Sequence, residues 1–131
     1  MSGFSDEKRA YIRSELLDTG RELFARYGLK KTTISDLTDP VGIANGTFYQ
    51  FFDSKERLYL EILTREQEAF ADRVDDLLAD ASGPQEGITA YLRLTIEEIE
   101  TNPLIRQLLV EDHWERLVQE FSEDELAEQR E

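Results

Sequence analysis

Between Ala44 and Phe52 the sequence sets Asn45, Gly46, Thr47, Tyr49 and Gln50 among three phenylalanines, Phe48, Phe51 and Phe52. Asparagine and glutamine each hold a donor and an acceptor side by side, so both can pair with the major-groove edge of adenine, and a threonine methyl packs against that of thymine. At helical spacing the phenylalanines share one face and can anchor the segment to a core. These residue types suit the reading of bases. Material for catalysis is much thinner. The one histidine, His113, adjoins Glu111 and Asp112, but neighbours in sequence diverge around a helix. The pairs Asp75-Asp76 and Glu97-Glu98 read as solvent-facing charge. The absence of cysteine excludes thiolate zinc sites, iron–sulfur clusters and cysteine nucleophiles. No phosphate-cradling glycine loop or nucleophile motif is present, so we expect no enzyme, cofactor or metal centre.

The elements that must position this segment are all helical. Ile12, Leu16, Leu17, Leu23, Phe24 and Tyr27 recur three or four apart and form an apolar stripe from Asp6 to Tyr27. Gly28 ends that helix, with Lys30 and Lys31 behind it. Thr33-Ile34-Ser35-Asp36 has the form of a capping box opening a short helix, which Pro40 prevents from running far. Gly42 marks a turn, and Ala44 to Phe52 is expected as a second short helix. Asp53 and Glu56 are expected to cap a long third one with Leu58, Ile62, Leu63, Phe70, Val74, Leu77 and Leu78 on its apolar side, interrupted near Glu66. It stops at Ser82-Gly83-Pro84. Pro84 begins a helix with expected core positions Ile88, Tyr91, Leu92, Ile96 and Ile99, and Asn102-Pro103 begins another with Leu104, Ile105, Leu108, Leu109, Leu117, Val118 and Phe121. Ser122 to Glu131 reads as a charged tail.

The length, 131 residues with 40% hydrophobic side chains, suffices for one domain with its own core. No apolar run approaches a membrane span and the N-terminus lacks a signal-peptide pattern, so a soluble, cytoplasmic protein is expected. The formal charge of -14 at first argues against a nucleic-acid partner, because DNA affinity comes largely from cations meeting phosphates. Its distribution changes that reading. Residues 1–57 hold nine basic and nine acidic side chains, including all four lysines, and the whole acidic excess falls in residues 58–131. Low lysine with high acid content in that half suggests a halophilic archaeal source. At molar salt the Debye length is ~3 Å, so repulsion between this half and DNA would be screened.

Two short helices joined by a glycine turn and braced by longer helices are the parts of a helix-turn-helix. The segment resembles the DNA-binding region of the TetR/AcrR family of repressors. The matching residues are Leu23-Phe24, Tyr27-Gly28, Thr33, Leu37, Gly42-Ile43, Gly46-Thr47-Phe48-Tyr49, Phe51-Phe52, Ser54-Lys55-Glu56 and Leu58, within residues 9–63. The resemblance implies that Thr33 and Ser35 face phosphates or the groove edge. Asn45, Thr47 and Gln50 would touch bases, Gly46 would permit close backbone approach, Tyr49 would meet phosphate and sugar, and Lys55 would pair with a phosphate. Thr33 and Asn45 also read as caps. The sequence departs from the family at Asn45, where lysine is common, at Thr38-Asp39-Pro40, and in having only about two helices beyond the long one.

The expectation is therefore an all-α chain: a three-helix, helix-turn-helix DNA-binding region at residues 1–53, then a long connecting helix and a shortened regulatory or dimerisation region at residues 54–131. Its partners would be double-stranded DNA, a second copy in a homodimer, and a small apolar effector. A helical protein-interaction module or a ligand sensor that keeps the fold without operator binding is the alternative.

Overall fold

The computed structural model describes residues 4–110 and Gln119. Its elements are α1 (Asp6–Lys31), α2 (Ile34–Thr38), α3 (Asn45–Phe48), α4 (Lys55–Asp80), α5 (Pro84–Thr101) and α6 (Pro103–Val110), and no strand occurs among the described residues. The expected positions His113, Trp114, Leu117, Val118 and Phe121 and the tail lie outside the described residues.

Local chemistry accounts for most boundaries. Ser5 caps α1 by accepting from the Lys8 amide. The helical path breaks at Gly28, whose φ of 83° suits a residue without Cβ. Thr33 and Asp36 form the expected capping box, each side chain accepting from the other's backbone amide. Gly42 takes the other positive φ, also 83°, and its amide returns to the Thr38 carbonyl at 2.9 Å. Asn102 opens α6, its Oδ1 accepting from Leu104 at 3.1 Å, with Pro103 in the first turn, where a missing amide hydrogen is harmless.

Three expectations need correction. The cap of α4 is Ser54, which accepts from the Arg57 amide at 3.0 Å, rather than Asp53. The second short helix is α3 alone, Asn45–Phe48, not Ala44 to Phe52. Beyond it the amides of Gln50 and Phe51 bond three residues back, to Thr47 and Phe48, a tighter turn than the α-helix. It leaves Phe48 and Phe52 buried and Phe51 half-buried. Finally, the expected core side of α5 is exposed: Ile88, Leu92 and Ile96 keep 62%, 54% and 56% of their surface. The periodicity is that of a genuine amphipathic helix, but an apolar stripe is buried only where a second surface meets it.

One core unites the described residues. Leu16 and Phe24 of α1, Leu37 of α2, Phe48 of α3, Leu58, Tyr59 and Ile62 of α4, and Leu104 and Leu108 of α6 belong to the same buried cluster. Phe24 and Tyr59 stack at 5.0 Å between ring centroids. Burial of the Tyr59 phenol pushes its pKa up to about 12. The core thus runs across residue 53, and α6 packs back on α1 beside α4. Because α1 packs on α2 as well as on α4, and α2 on α3, the short helices and the long helix share one support.

Candidate nucleic-acid interface

The segment from Thr33 to Lys55 is a tight α2–turn–α3 unit. Its internal support comes from Thr38, fully buried at the end of α2. The Thr38 carbonyl accepts from the amides of Val41, Gly42 and Ile43, folding the turn around itself. Its hydroxyl reaches the Asn45 Oδ1 at 2.8 Å, while the Asn45 amide nitrogen donates to the Ser35 Oγ at 2.9 Å. Asn45 is therefore a strut from α3 to α2. It makes no cap hydrogen bond at the start of α3.

From below, Phe48 fixes α3, packed 5.9 Å from Phe52 and edge-on to Tyr49 at 5.5 Å. Phe51 lies against Phe4, at 6.4 Å. With this side anchored, the opposite side is left to solvent. Ala44, Asn45, Gly46 and Gln50 are exposed, Thr47 is half-buried and Tyr49 keeps 56% of its surface. A Cβ added at Gly46 would find nothing within 4 Å, so the protein itself gives that glycine no packing reason. Thr33 and Ser35 border the same unit and are both exposed. The Thr33 hydroxyl oxygen accepts from the Asp36 amide at 3.1 Å as the cap of α2. Hydrogen bonds from the Thr33 backbone amide and side chain hold the Asp36 carboxyl below the usual aspartate range.

Lys55 has a different occupation. Its Nζ donates to the carbonyls of Leu29 at 2.9 Å, Lys30 at 3.3 Å and Thr32 at 2.9 Å. An ammonium has three hydrogens, so the group is saturated by the end of α1. A cation in the first turn of α4 opposes that helix's own dipole, and the free carbonyls closing α1 offset this. Sequence reasoning placed the residue at this junction, but no spacing rule reveals that the carbonyls of Leu29, Lys30 and Thr32 converge there. Thr38 also went unassigned; its burial beside Pro40 is a tertiary effect.

Away from this unit, α4, α5 and α6 border a groove of about 560 Å³ lined by Leu63, Phe70, Val74, Tyr91, Ile99 and Leu108, among others. Its polar edge holds Glu66 and Glu98. Arg21 of α1 pairs with Glu66, Arg73 pairs with Glu98, and the Asn102 amide donates to both glutamates. The polar interruption at Glu66 thus helps join α1, α4 and α5 at the start of α6. Glu98 is not a free surface charge. Its burial disfavours the ionised form, but hydrogen bonds from Asn102 and Arg73 and the charges of Arg73 and Arg21 outweigh that and lower its pKa.

Comparison with known proteins agrees with this architecture. Residues 16–62 match the family described as "Bacterial regulatory proteins, tetR family". The chain is 36% identical to the HTH-type transcriptional repressor KstR2 of Mycolicibacterium smegmatis over 88 residues, 67% of this chain and 43% of that protein. It is 30% identical to KstR2 of Mycobacterium tuberculosis over 122 residues, 90% of this chain and 60% of that protein. The solved structure of that ketosteroid transcriptional regulator superposes with a TM-score of 0.67 at 29% identity, over 90% of this chain and 62% of that one. The fatty acid degradation regulator FadR from Bacillus halodurans, at 15% identity, shares the fold with a TM-score of 0.63, over 82% of this chain and 55% of that one. The chain spans about half the length of the curated relatives it matches. These relatives are bacterial and lend no support to a haloarchaeal source. No described helix is long and apolar enough to cross a membrane. Residues 16–62 thus match the tetR family of bacterial regulatory proteins, and the all-helical fold around them resembles that of solved regulators.

Proposed function

We propose that the chain is a DNA-binding transcriptional repressor that inserts the α3 turn into the major groove. The observation that carries this reading is the two-sidedness of that turn. Phe48, Phe51 and Phe52 hold it from beneath, while Gly46, Tyr49 and Gln50 stand exposed above. In this reading Gln50 and the Thr47 methyl read base edges, Gly46 admits the DNA backbone, and Tyr49, Thr33 and Ser35 meet phosphate and sugar. Asn45 serves as the strut that sets the angle between α2 and α3, and Lys55 as the clamp on α1. A homodimer would place two such heads on a palindromic operator with half-sites about one helical turn, ~10 bp, apart, and repression would follow from occluding a promoter. Titration of the purified protein with its own upstream DNA across a KCl series tests the proposal. Gln50→Ala is expected to relax base preference by about 1–3 kcal/mol at one position. Equal binding of all sequences by wild type and variant would remove the recognition role.

The groove between α4, α5 and α6 supports a second component, a small apolar effector. Its volume of about 560 Å³ is that of a ligand site, and Arg21 and Asn102 tie its edge to α1. A ketosteroid, the compound class after which the Mycobacterium tuberculosis regulator is described, is the first ligand to test. A rise in melting temperature with wild type, lost in Val74→Glu, is the expected result. The acidic distal half is read as an adaptation to high salt: unfolding midpoints should be higher in 3 M than in 0.1 M KCl, and equal midpoints would oppose it.

A further inference from the structure

We propose that Lys8 and Arg9, in the first turn of α1, form a phosphate-binding pair flanking the reading turn, an assignment that rests on the DNA-binding reading above. The need for it arises from Lys55. With that ammonium donating to the carbonyls of Leu29, Lys30 and Thr32, other cations on the head are the ones placed to meet the DNA backbone. DNA affinity depends on such charge, and residues 1–57 carry no net excess of it.

Lys8 and Arg9 stand where it is wanted. The Arg9 guanidinium lies 5.1 Å from the centre of the Phe51 ring and reaches the Gln50 carbonyl at 3.5 Å. The Lys8 ammonium lies 5.4 Å from the centre of the Phe4 ring, which packs on Phe51 at 6.4 Å. Both cations are therefore stacked on a two-ring platform continuous with the turn that carries Gln50. Stacking on an aromatic face orients a cation without consuming its hydrogen-bond donors. Neither residue is in an ion pair with a described carboxylate, although Asp6 and Glu7 share the same helical turn. Farther along α1, Arg13 also stacks on an aromatic ring, that of Phe52 at 5.1 Å, but it is paired with Glu61. Arg26 stacks on Tyr27 at 5.9 Å near the other end of α1, so Lys8 and Arg9 are the stacked cations beside the exposed glutamine. Held beside Gln50, these cations would engage the phosphates at one rim of the major groove while the turn enters it.

The test is binding of a duplex of about 30 base pairs and mixed sequence to the full chain, measured from low to moderate KCl. Loss of one phosphate contact lowers the magnitude of the log K against log[KCl] slope by about 0.9 per bound protomer and weakens binding roughly tenfold at 0.1 M. Lys8→Ala and Arg9→Ala should each show this for every duplex sequence alike. Arg9→Lys keeps the charge and should recover most of the slope. Circular dichroism melting of each variant separates binding from folding, and Lys8→Ala, exposed and outside the core, should melt like wild type. Binding by wild type with unchanged slopes in both alanine variants would overturn the assignment while leaving the helix-turn-helix reading intact. Failure of wild type to bind any duplex would overturn both.

Discussion

The Lys55 ammonium donates to the Thr32 carbonyl at 2.9 Å, joining the start of α4 to the residue that closes α1. Because Nζ also serves Leu29 and Lys30, one side chain satisfies three carbonyls at the end of a helix. Hydrogen bonds to a charged group each contribute about 1.5–3 kcal/mol, and truncation strands the carbonyls together. Lys55→Ala should therefore destabilise the fold by at least about 1.5 kcal/mol in urea unfolding. The salt slope of DNA binding should remain that of wild type. A lowered slope with unchanged stability would restore Lys55 as a phosphate ligand.

The strut between α2 and α3 gives a second expectation. Asn45→Ala removes hydrogen bonds to Ser35 and Thr38, each with a net contribution of about 0.5–1.5 kcal/mol. The variant should lose about 1–2 kcal/mol of stability and bind all DNA sequences less tightly, without altered base preference. A change confined to one base position would instead make Asn45 a base reader.

These two residues show where the sequence was legible. The helix order, the Gly28 and Gly42 turns, the Thr33–Asp36 capping box and the Asn102-Pro103 start follow from short-range chemistry and are found as expected. The α2–turn–α3 order was equally plain, although α3 ends at Phe48. What the sequence withheld depends on residues far apart in the chain. Lys55 meets carbonyls 23 to 26 residues away, and Arg21 meets Glu66 45 residues away. The exposed apolar side of α5 is the same lesson reversed, since periodicity reports an apolar face and says nothing of what covers it.

The capping box should confer a pH dependence. Asp36 is ionised more readily in the folded protein than its type alone dictates, because the Thr33 backbone amide and side chain stabilise its carboxylate. A lowered folded pKa contributes stability above the unfolded value, near ~3.9, and that contribution disappears as pH falls through the folded value. Wild type should therefore lose its advantage over Asp36→Asn as pH drops below about 4. A gap between the two that is constant from pH 7 to about pH 2 would contradict this.

Packing between α1 and α4 is close at Gly20, where an added Cβ would lie 2.9 Å from the Ile62 Cδ1 and 3.1 Å from the Leu58 Cδ2. Alanine gains about 1 kcal/mol in helix propensity over glycine, while overpacking a core costs about 1–3 kcal/mol. Gly20→Ala should be near neutral and Gly20→Val clearly destabilising in thermal unfolding. In an Ile62→Val background, which removes the crowding methyl, Gly20→Ala should become stabilising by about 1 kcal/mol. Additivity of the two changes would mean that Gly20 and Ile62 do not constrain one another.

The most direct measurement is selection of duplexes from a random library by the full chain, followed by sequencing of the bound fraction. Wild type is expected to enrich a two-fold symmetric motif, with one position in each half relaxed when Gln50→Ala replaces it. Recovery of the input distribution by wild type, at a salt concentration where the protein is folded, would contradict the assignment of the α3 turn as a reader of bases.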